Sequence, residues 1–326
     1  MAGKYGSPSF SLLLVDGRSL LAAKVKGVTH AVQSLFESAT GVGDSWESIA
    51  LTGMQRATLT QDEAFFDDTT ASVHDALKTP STVPKVVGFG YGGNTIGAPF
   101  VGLEGTYAQD YAVLAKVGGL TKANVTYRVS GKLDRGRIIS EHVSKVATWN
   151  TKTDGSPVDP LTDPTNLVIP ITSSSVANPT VITTPVPHGL TTTDLISISG
   201  HLGSTPDLNV GSRTVTVLTP TTFSLSDNVT VGGTGGSFVR LNSRLGGAGY
   251  QFVSALSGIT GFVGKIRSSP DDMTYTDLVT FTNVTAAPAA ERVTVAAGAV
   301  IDRYLCYSGT FTGSGSITVC IGFARN

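Results

Sequence analysis

Four stretches of the sequence gather side chains able to do chemistry. In VPHGLTTTDLISISG, residues 186–200, His188 stands at a Pro-Gly corner with Asp194 six residues on, the pairing a carboxylate-oriented general base would use. DEAFFDD, residues 62–68, supplies Asp62, Glu63, Asp67 and Asp68, and such acids serve proton transfer or cation binding. GFGYGG, residues 88–93, matches G-x-G-x-x-G after a strand-like KVV, as a dinucleotide site would. Cys306 and Cys320 are the two thiols of the chain.

Each has a plainer reading. A dinucleotide loop works only when its last glycine opens a helix whose amino end holds the pyrophosphate, and the NTIGAPFVGLEG that follows has Pro99, β-branched residues and no helical apolar face. The motif therefore reads as a Gly-rich turn. Asp67 and Asp68 abut a helix-like segment, where acids are favoured by the helix dipole and cap free amides, so they read as structural. The five histidines, His30, His74, His142, His188 and His201, show no H-E-x-x-H or other ligand spacing, and there is no G-x-S-x-G elbow. His188 is then expected to satisfy backbone groups at its turn, and Asp194 to belong to a turn before a strand. No catalytic, cofactor-binding or metal-binding residue is assigned, no cofactor is expected, and the chain reads as a non-enzyme. A hairpin with TGSGS (312–316) as its turn centres on Gly313 and sets both cysteines on one face, opposite Leu305, Tyr307, Val319 and Ile321. A bridge is open geometrically, but cytoplasmically made proteins keep thiols reduced, and two small buried or half-buried side chains are the favoured reading.

The elements that position these residues are mostly strands. LLLV (12–15), KVKGV (24–28), RATLT (56–60), KVVGFGY (85–91), FVGLEGTY (100–107) and ANVTYRVSGKL (123–133) carry β-branched and aromatic residues with partial alternation. Two segments have helical spacing. DDTTASVHDALK (67–78) offers Asp68 or Thr69 as cap with Val73, Ala76 and Leu77 on one face, and THAVQSLFESA (29–39) groups Val32, Leu35 and Phe36. The fold class is mainly β: a β-sandwich with one or two short helices over 12–149 after a loose arm at 1–11, a Pro/Asp/Thr-rich linker at 150–167, a small β-barrel at 168–242, and a C-terminal antiparallel β-sandwich at 243–326.

Bulk properties narrow the function. Charged residues are 14% of the chain and Lys+Arg 23 nearly cancels Asp+Glu 24, so no basic surface exists for stable nucleic-acid binding, and low net charge suits a subunit that associates. LLLV is far short of the ~18 apolar residues of a membrane span, and MAGKYGSPSF lacks a secretory apolar region, so no membrane partner is expected. The sequons at Asn124, Asn228 and Asn283 are then products of Thr-rich strands.

The first and last units resemble bacteriophage tail tube proteins of the long-tailed, siphovirus-like type. The residues that carry this are VDGRSLLAAKVKGVTHAVQ, GVGDSWESIALTGMQRATLTQDEAFFDD (41–68), VVGFGYGGNTIG, LTKANVTYRVSGKLDRGRII (120–139) and RYLCYSGTFTGSGSITVCIGFARN (303–326). The middle unit is similar to a small β-module seen inserted in phage structural proteins and in the first catalytic-cysteine half-domain of ubiquitin-activating enzymes, through PVPHGLTTTDLISISG, DLN (207–209), TVTVL and TTFSL (221–225). Val210 stands where that module has a glycine, and the module has no cysteine, so no activating chemistry transfers. The resemblance implies a virion protein, assembled in the host bacterial cytoplasm, whose stacked rings form the conduit for DNA ejection, with the middle unit facing outward. Its implied partners are itself, the tape measure protein in the lumen, the tail terminator and distal tail proteins, and DNA in transit. No repeat of the first unit's pattern recurs in the last, which favours hexameric rings over trimeric pseudo-sixfold ones. The alternative is a receptor- or carbohydrate-binding tail or baseplate component.

Overall fold

The structure, a computed structural model, describes residues 12–21, 27–38, 49–66, 72–78, 82–131, 133–146 and 168–325. It is mainly β, built of antiparallel sheets. The N-terminal arm, the 150–167 linker and the acids Asp67 and Asp68 lie outside the described residues.

The first part holds β1 (Leu12–Val15), β2 (Arg18–Leu21), β3 (Gly27–Ser38), β4 (Ile49–Phe65), the helix α1 (Val73–Leu77), β5 (Lys85–Gly90), β6 (Pro99–Leu114), β7 (Lys122–Val129) and β8 (Leu133–Val146). The middle part holds β9 (Ile169–Pro170), β10 (Ser173–Ser174), β11 (Thr180–Thr183), β12 (Leu195–Ser199), β13 (Ser212–Thr214), β14 (Thr216–Thr219), β15 (Thr222–Leu225) and β16 (Ser237–Arg240). The last part holds β17 (Asn242–Ser243), β18 (Gly247–Ser269), β19 (Thr276–Thr280), β20 (Ala289–Val295), β21 (Ile301–Asp302) and β22 (Tyr304–Arg325).

One twelve-stranded sheet takes in most of the first and last parts, in the order β19-β18-β22-β8-β6-β5-β1-β2, with β20 on β18 and the ribbon β3-β4-β7 attached through β6. The seam between them is the ladder of β8 on β22, from Val146↔Ser316 to Gly136↔Ala324. The two parts are thus one body at the level of the backbone. Its sheet rolls on itself until Ser254 of β18 donates a 2.5 Å hydrogen bond to the carbonyl of Gly17 in the β1–β2 turn.

The roll is filled by rings lying against glycines. Phe100, Tyr250 and Phe252 are buried together with Leu12, Leu14 and Ile138, and a Cβ on Gly102 would lie 2.2 Å from the Tyr250 ring, one on Gly322 2.6 Å from Phe100. Only glycine leaves space for those rings, each of which contributes on the order of 2 kcal/mol on leaving water. A second core, with Val253, Phe262, Ile266, Phe281, Val319 and Phe323, lies on the other side of β18 and β22. Buried on both faces, these strands read as nearly continuous apolar runs, as in SITVCIGFA.

Three sequence expectations fail here. THAVQSLFESA is not a helix: residues 27–38 are β3, paired to β4 from Gly27↔Asp62 to Ser38↔Ile49, so the long partner strand overrides a weak helical period. The helix in 67–78 is the short α1, and its cap is Ser72, whose hydroxyl accepts from the Asp75 amide at 3.2 Å, rather than Asp68 or Thr69. TGSGS is not a hairpin turn. β22 continues through it for 22 residues against β18, and the pair bends there, with bulges at Val253/Ala255, Ser257/Ile259 and Ile259/Gly261. Cys306 and Cys320 therefore sit on one strand, paired across it to Arg267 and Phe252, and that strand bends back until the Tyr307 hydroxyl donates to Gln251, the partner of Ile321, at 3.1 Å. Both thiols are free and buried.

The middle part has its own core of Ile182, Ile196, Ile198, Leu208, Val215, Phe223, Leu225 and Phe238. Two four-stranded sheets enclose it, β10-β11-β15-β14 and β13-β12-β16-β9. We refer to it as the module.

Candidate functional site

His188 and Asp194 both prove buried, at 4% and 1% exposure, but in separate sets of contacts. The His188 ring accepts from the Leu190 amide at Nδ1, 3.0 Å, so its proton lies on Nε2, which donates to the Thr219 carbonyl at 2.9 Å. The ring stands edge-on to Phe223, centroids 5.4 Å apart. It closes the Pro-Gly corner onto the β14–β15 turn, with no nitrogen left for a substrate. Asp194 takes the Thr191 amide at 2.8 Å and hydroxyl at 3.0 Å on Oδ2, beside Nε of Arg240 at 3.2 Å, while Nε of Arg244 stands 3.7 Å from Oδ1. The pairing of a base with an orienting acid is not made, since His188 and Asp194 share no partner.

Two serine-histidine contacts exist that the sequence spacing did not reveal. Nε2 of His142 on β8 lies 2.7 Å from the Ser254 hydroxyl. That hydroxyl spends its own proton on the Gly17 carbonyl, so it accepts from the imidazole and is oriented opposite to an activated nucleophile. Burial lowers the His142 pKa. In the module, Nδ1 of His201 donates to the Gly235 carbonyl at 2.7 Å and Nε2 meets Ser174 Oγ at 2.9 Å, while Ser174 also accepts the Gly233 amide at 2.8 Å. This pins the Gly-rich loop 232–236. His30 meets the Tyr91 hydroxyl and His74 the Tyr111 hydroxyl. Burial, then Arg135, lowers the His30 pKa, and burial pushes that of Tyr91 up to about 12.

Of the acids at 62–68, Asp62 is exposed on β4 and Glu63 binds Lys122 at 2.9 Å, next to a bulge where Glu63 takes φ 50°. In GFGYGG, Gly88 and Gly90 lie inside β5, Gly93 turns the chain at φ 98°, and the chain returns as β6 with no helix. Gly88 is there because a Cβ would lie 2.6 Å from Phe252. Among the described residues, no group of three or more His, Cys, Asp or Glu could hold a metal ion, and no helix is long and apolar enough to cross a membrane.

The densest charge cluster is one that sequence spacing missed. Arg292 of β20 donates to Asp134 of β8 from Nε at 3.0 Å and Nη2 at 2.8 Å, and to Glu104 of β6 from Nη1 at 3.0 Å. The Tyr250 hydroxyl donates to the same Asp134 oxygen at 2.5 Å. Burial, reinforced by Asp134, holds the Tyr250 phenol well above its ordinary pKa. The 158-position separation of Arg292 and Asp134 hides this pair in the sequence. With all three guanidinium nitrogens engaged, it is a clasp across the rolled sheet.

What the body leaves open is surface. Among the described residues the 12-residue strand β3 has one strand partner, β4. The β6–β7 hairpin projects, with Val113, Leu114, Val117 and Leu120 exposed around its tip. Across β3, β4 and β7 the outward face carries a row of threonines, Thr29↔Thr60 and Thr60↔Thr126.

No protein-family model matches the sequence, and no curated protein matches it. Solved structures do. The chain is similar to a protein in the virion of a native gene transfer agent particle, at 9% identity and TM-score 0.31, over 40% of this chain and 98% of that one. It is similar in the same measure to a protein in the tail of the empty particle, refined with C6 symmetry, at 10% identity and TM-score 0.31, over 40% of this chain and 97% of that one. A third is the SPP1 Dit protein, titled a paradigm of the hub adsorption apparatus in phages infecting Gram-positive bacteria, at 9% identity and TM-score 0.27, over 97% of this chain and 98% of that one. These structural neighbours are virion, tail and adsorption-hub components.

Proposed function

We propose that this chain is a structural subunit of a phage tail, the major tail tube protein, which assembles into stacked rings that conduct DNA. The observation that carries the reading is the ribbon β3-β4-β7-β6, a wide sheet with a solvent-facing side, in which β3 has β4 as its strand partner among the described residues. A long strand at the margin of such a ribbon is a template for pairing with another chain, and the natural occupant in a ring is the next copy. The outward face mixes Arg56 and Arg128 with Asp62 and the threonine row, so it lacks the basic density that would hold phosphates back. In this reading that face, with Asp62 on it, lines the lumen, and the apolar tip at Val113–Leu120 meets the adjacent ring. Hexameric rings are favoured, with the tape measure protein inside before DNA passes, and the terminator and distal tail proteins at the ends of a tube built in the host cytoplasm.

The module faces outward as an accessory. A sugar-binding role finds little support in it, since its two aromatic rings, Phe223 and Phe238, are both buried and leave no stacking platform. Replacing residues 168–242 with a short Gly-Ser bridge should leave tubes intact under negative-stain microscopy. Loss of tubes on that deletion would put the module in the wall.

A further inference from the structure

The module's described connection to the body runs through residues 241–246. β17 pairs with β21 through Asn242↔Asp302 and Ser243↔Ile301, and the Arg303 amide donates to the Leu241 carbonyl at 2.7 Å. A ladder this short fixes a point of contact but resists rotation weakly. What resists it is Arg244. Its Nη2 donates to Thr193 Oγ1 of the module at 2.6 Å, its Nε faces Asp194 at 3.7 Å, and its Nη1 donates to the Gly298 carbonyl of the body at 3.3 Å. The Gly298 amide returns a 2.7 Å hydrogen bond to the Arg244 carbonyl. One residue thus grips both parts.

The carboxylate it faces is itself immobile. Thr191 and Arg240 hold Asp194 Oδ2, and Thr193 keeps a left-handed φ of 79° that a β-branched residue adopts only under constraint from its surroundings. The module's other charges do not compete: Arg213 is paired with Asp227 at 3.0 Å, and Asp207 is turned to Asn209. We propose that Asp194 and Arg244 form an orientation clamp, holding the module as a rigid projection at a set angle to the body. The β17–β21 ladder is the pivot and the clamp is the stop. This holds whatever the body assembles into, and in a repeating assembly it would present every module in the same pose.

The test uses the full chain with nitroxide labels on Leu218→Cys in the module and Met273→Cys in the body, both exposed positions, while the native cysteines are buried. Pulsed dipolar spectroscopy should give one narrow distance distribution. Arg244→Ala, which leaves the Asp194–Arg240 pair in place, should broaden it about two-fold or more, as should Asp194→Asn, whereas Arg213→Ala should leave the width unchanged. A parent distribution that is already broad, or an Arg244→Ala distribution as narrow as the parent's, would overturn the clamp. If Asp194→Asn unfolds the module, Arg244→Ala alone decides.

Discussion

The body and the module each bury an aspartate beside arginine, and the two arrangements differ in reach. In the module, Asp194 is met by Thr191, three residues away, and by Arg240 and Arg244 close to the module's end. In the body, Asp134 is met by Arg292 and Tyr250, across three strands and more than a hundred residues. The same contrast holds for the strands. The module uses strands of two to five residues, and the body uses β18 and β22 of 23 and 22 residues. Local closure makes a unit that folds within its own segment; distant closure makes a sheet that forms only when both ends of the chain are present.

Variants that act on one part alone put this contrast under strain, and the largest effect belongs to the body. Gly102→Val drives a side chain into the Tyr250 ring, and we expect a loss of more than about 4 kcal/mol, enough to abolish the body's cooperative unfolding while the module's own transition survives. A calorimetric trace in which both transitions vanish would show that the module does not fold within its segment. Phe223→Ala is the converse. It empties the centre of the module core, should cost roughly 3–5 kcal/mol, and should lower the module's melting alone. Arg292→Met leaves Asp134 buried without its cation and should cost the body about 3 kcal/mol in urea titration, with Arg292→Met/Asp134→Asn losing less than the single change. An equal loss in the two would mean that the clasp is not coupled.

The smallest effect is a pH dependence. Burial lowers the folded-state pKa of His142 below its ordinary 6.5, so as pH falls through that value the unfolded chain takes up the proton first. Stability contributed by the neutral ring is complete above that range and declines below it, and His30, lowered by burial and then by Arg135, adds in the same direction. His142→Gln should therefore lose less of its urea midpoint than the parent between about pH 7.5 and about pH 5.5. An identical slope in both proteins would remove His142 from the account.

Legibility followed the same division. VITTP, DLISISG and TTFSL are strands in the structure because turn residues bracket each one, and the structural role expected of His188 could be read from its Pro-Gly corner. In the body, SGITG and TGSGS carry the same glycines and serines that mark turns elsewhere, yet here they face one another across bulges, Ile259↔Gly313 and Ser257↔Ser316, inside two continuous strands. Nothing in either stretch alone signals this, since each is irregular only to match its partner. The helical spacing of 29–39 misled for a related reason: the partner that makes β3 a strand is β4, beyond the segment's own sequence. The Arg292–Asp134 clasp has no signature in the sequence because pairing across a rolled sheet has no sequence period, and the acids before Ser72 compete with it as cap candidates in the sequence.

The central claim is that the body is built to associate with copies of itself. Negative-stain microscopy of the purified full chain at high concentration, with mass measurement of any closed particles, addresses it most directly. The account predicts rings of six copies that stack into hollow tubes with the modules outside. A monodisperse monomer under those conditions would contradict it.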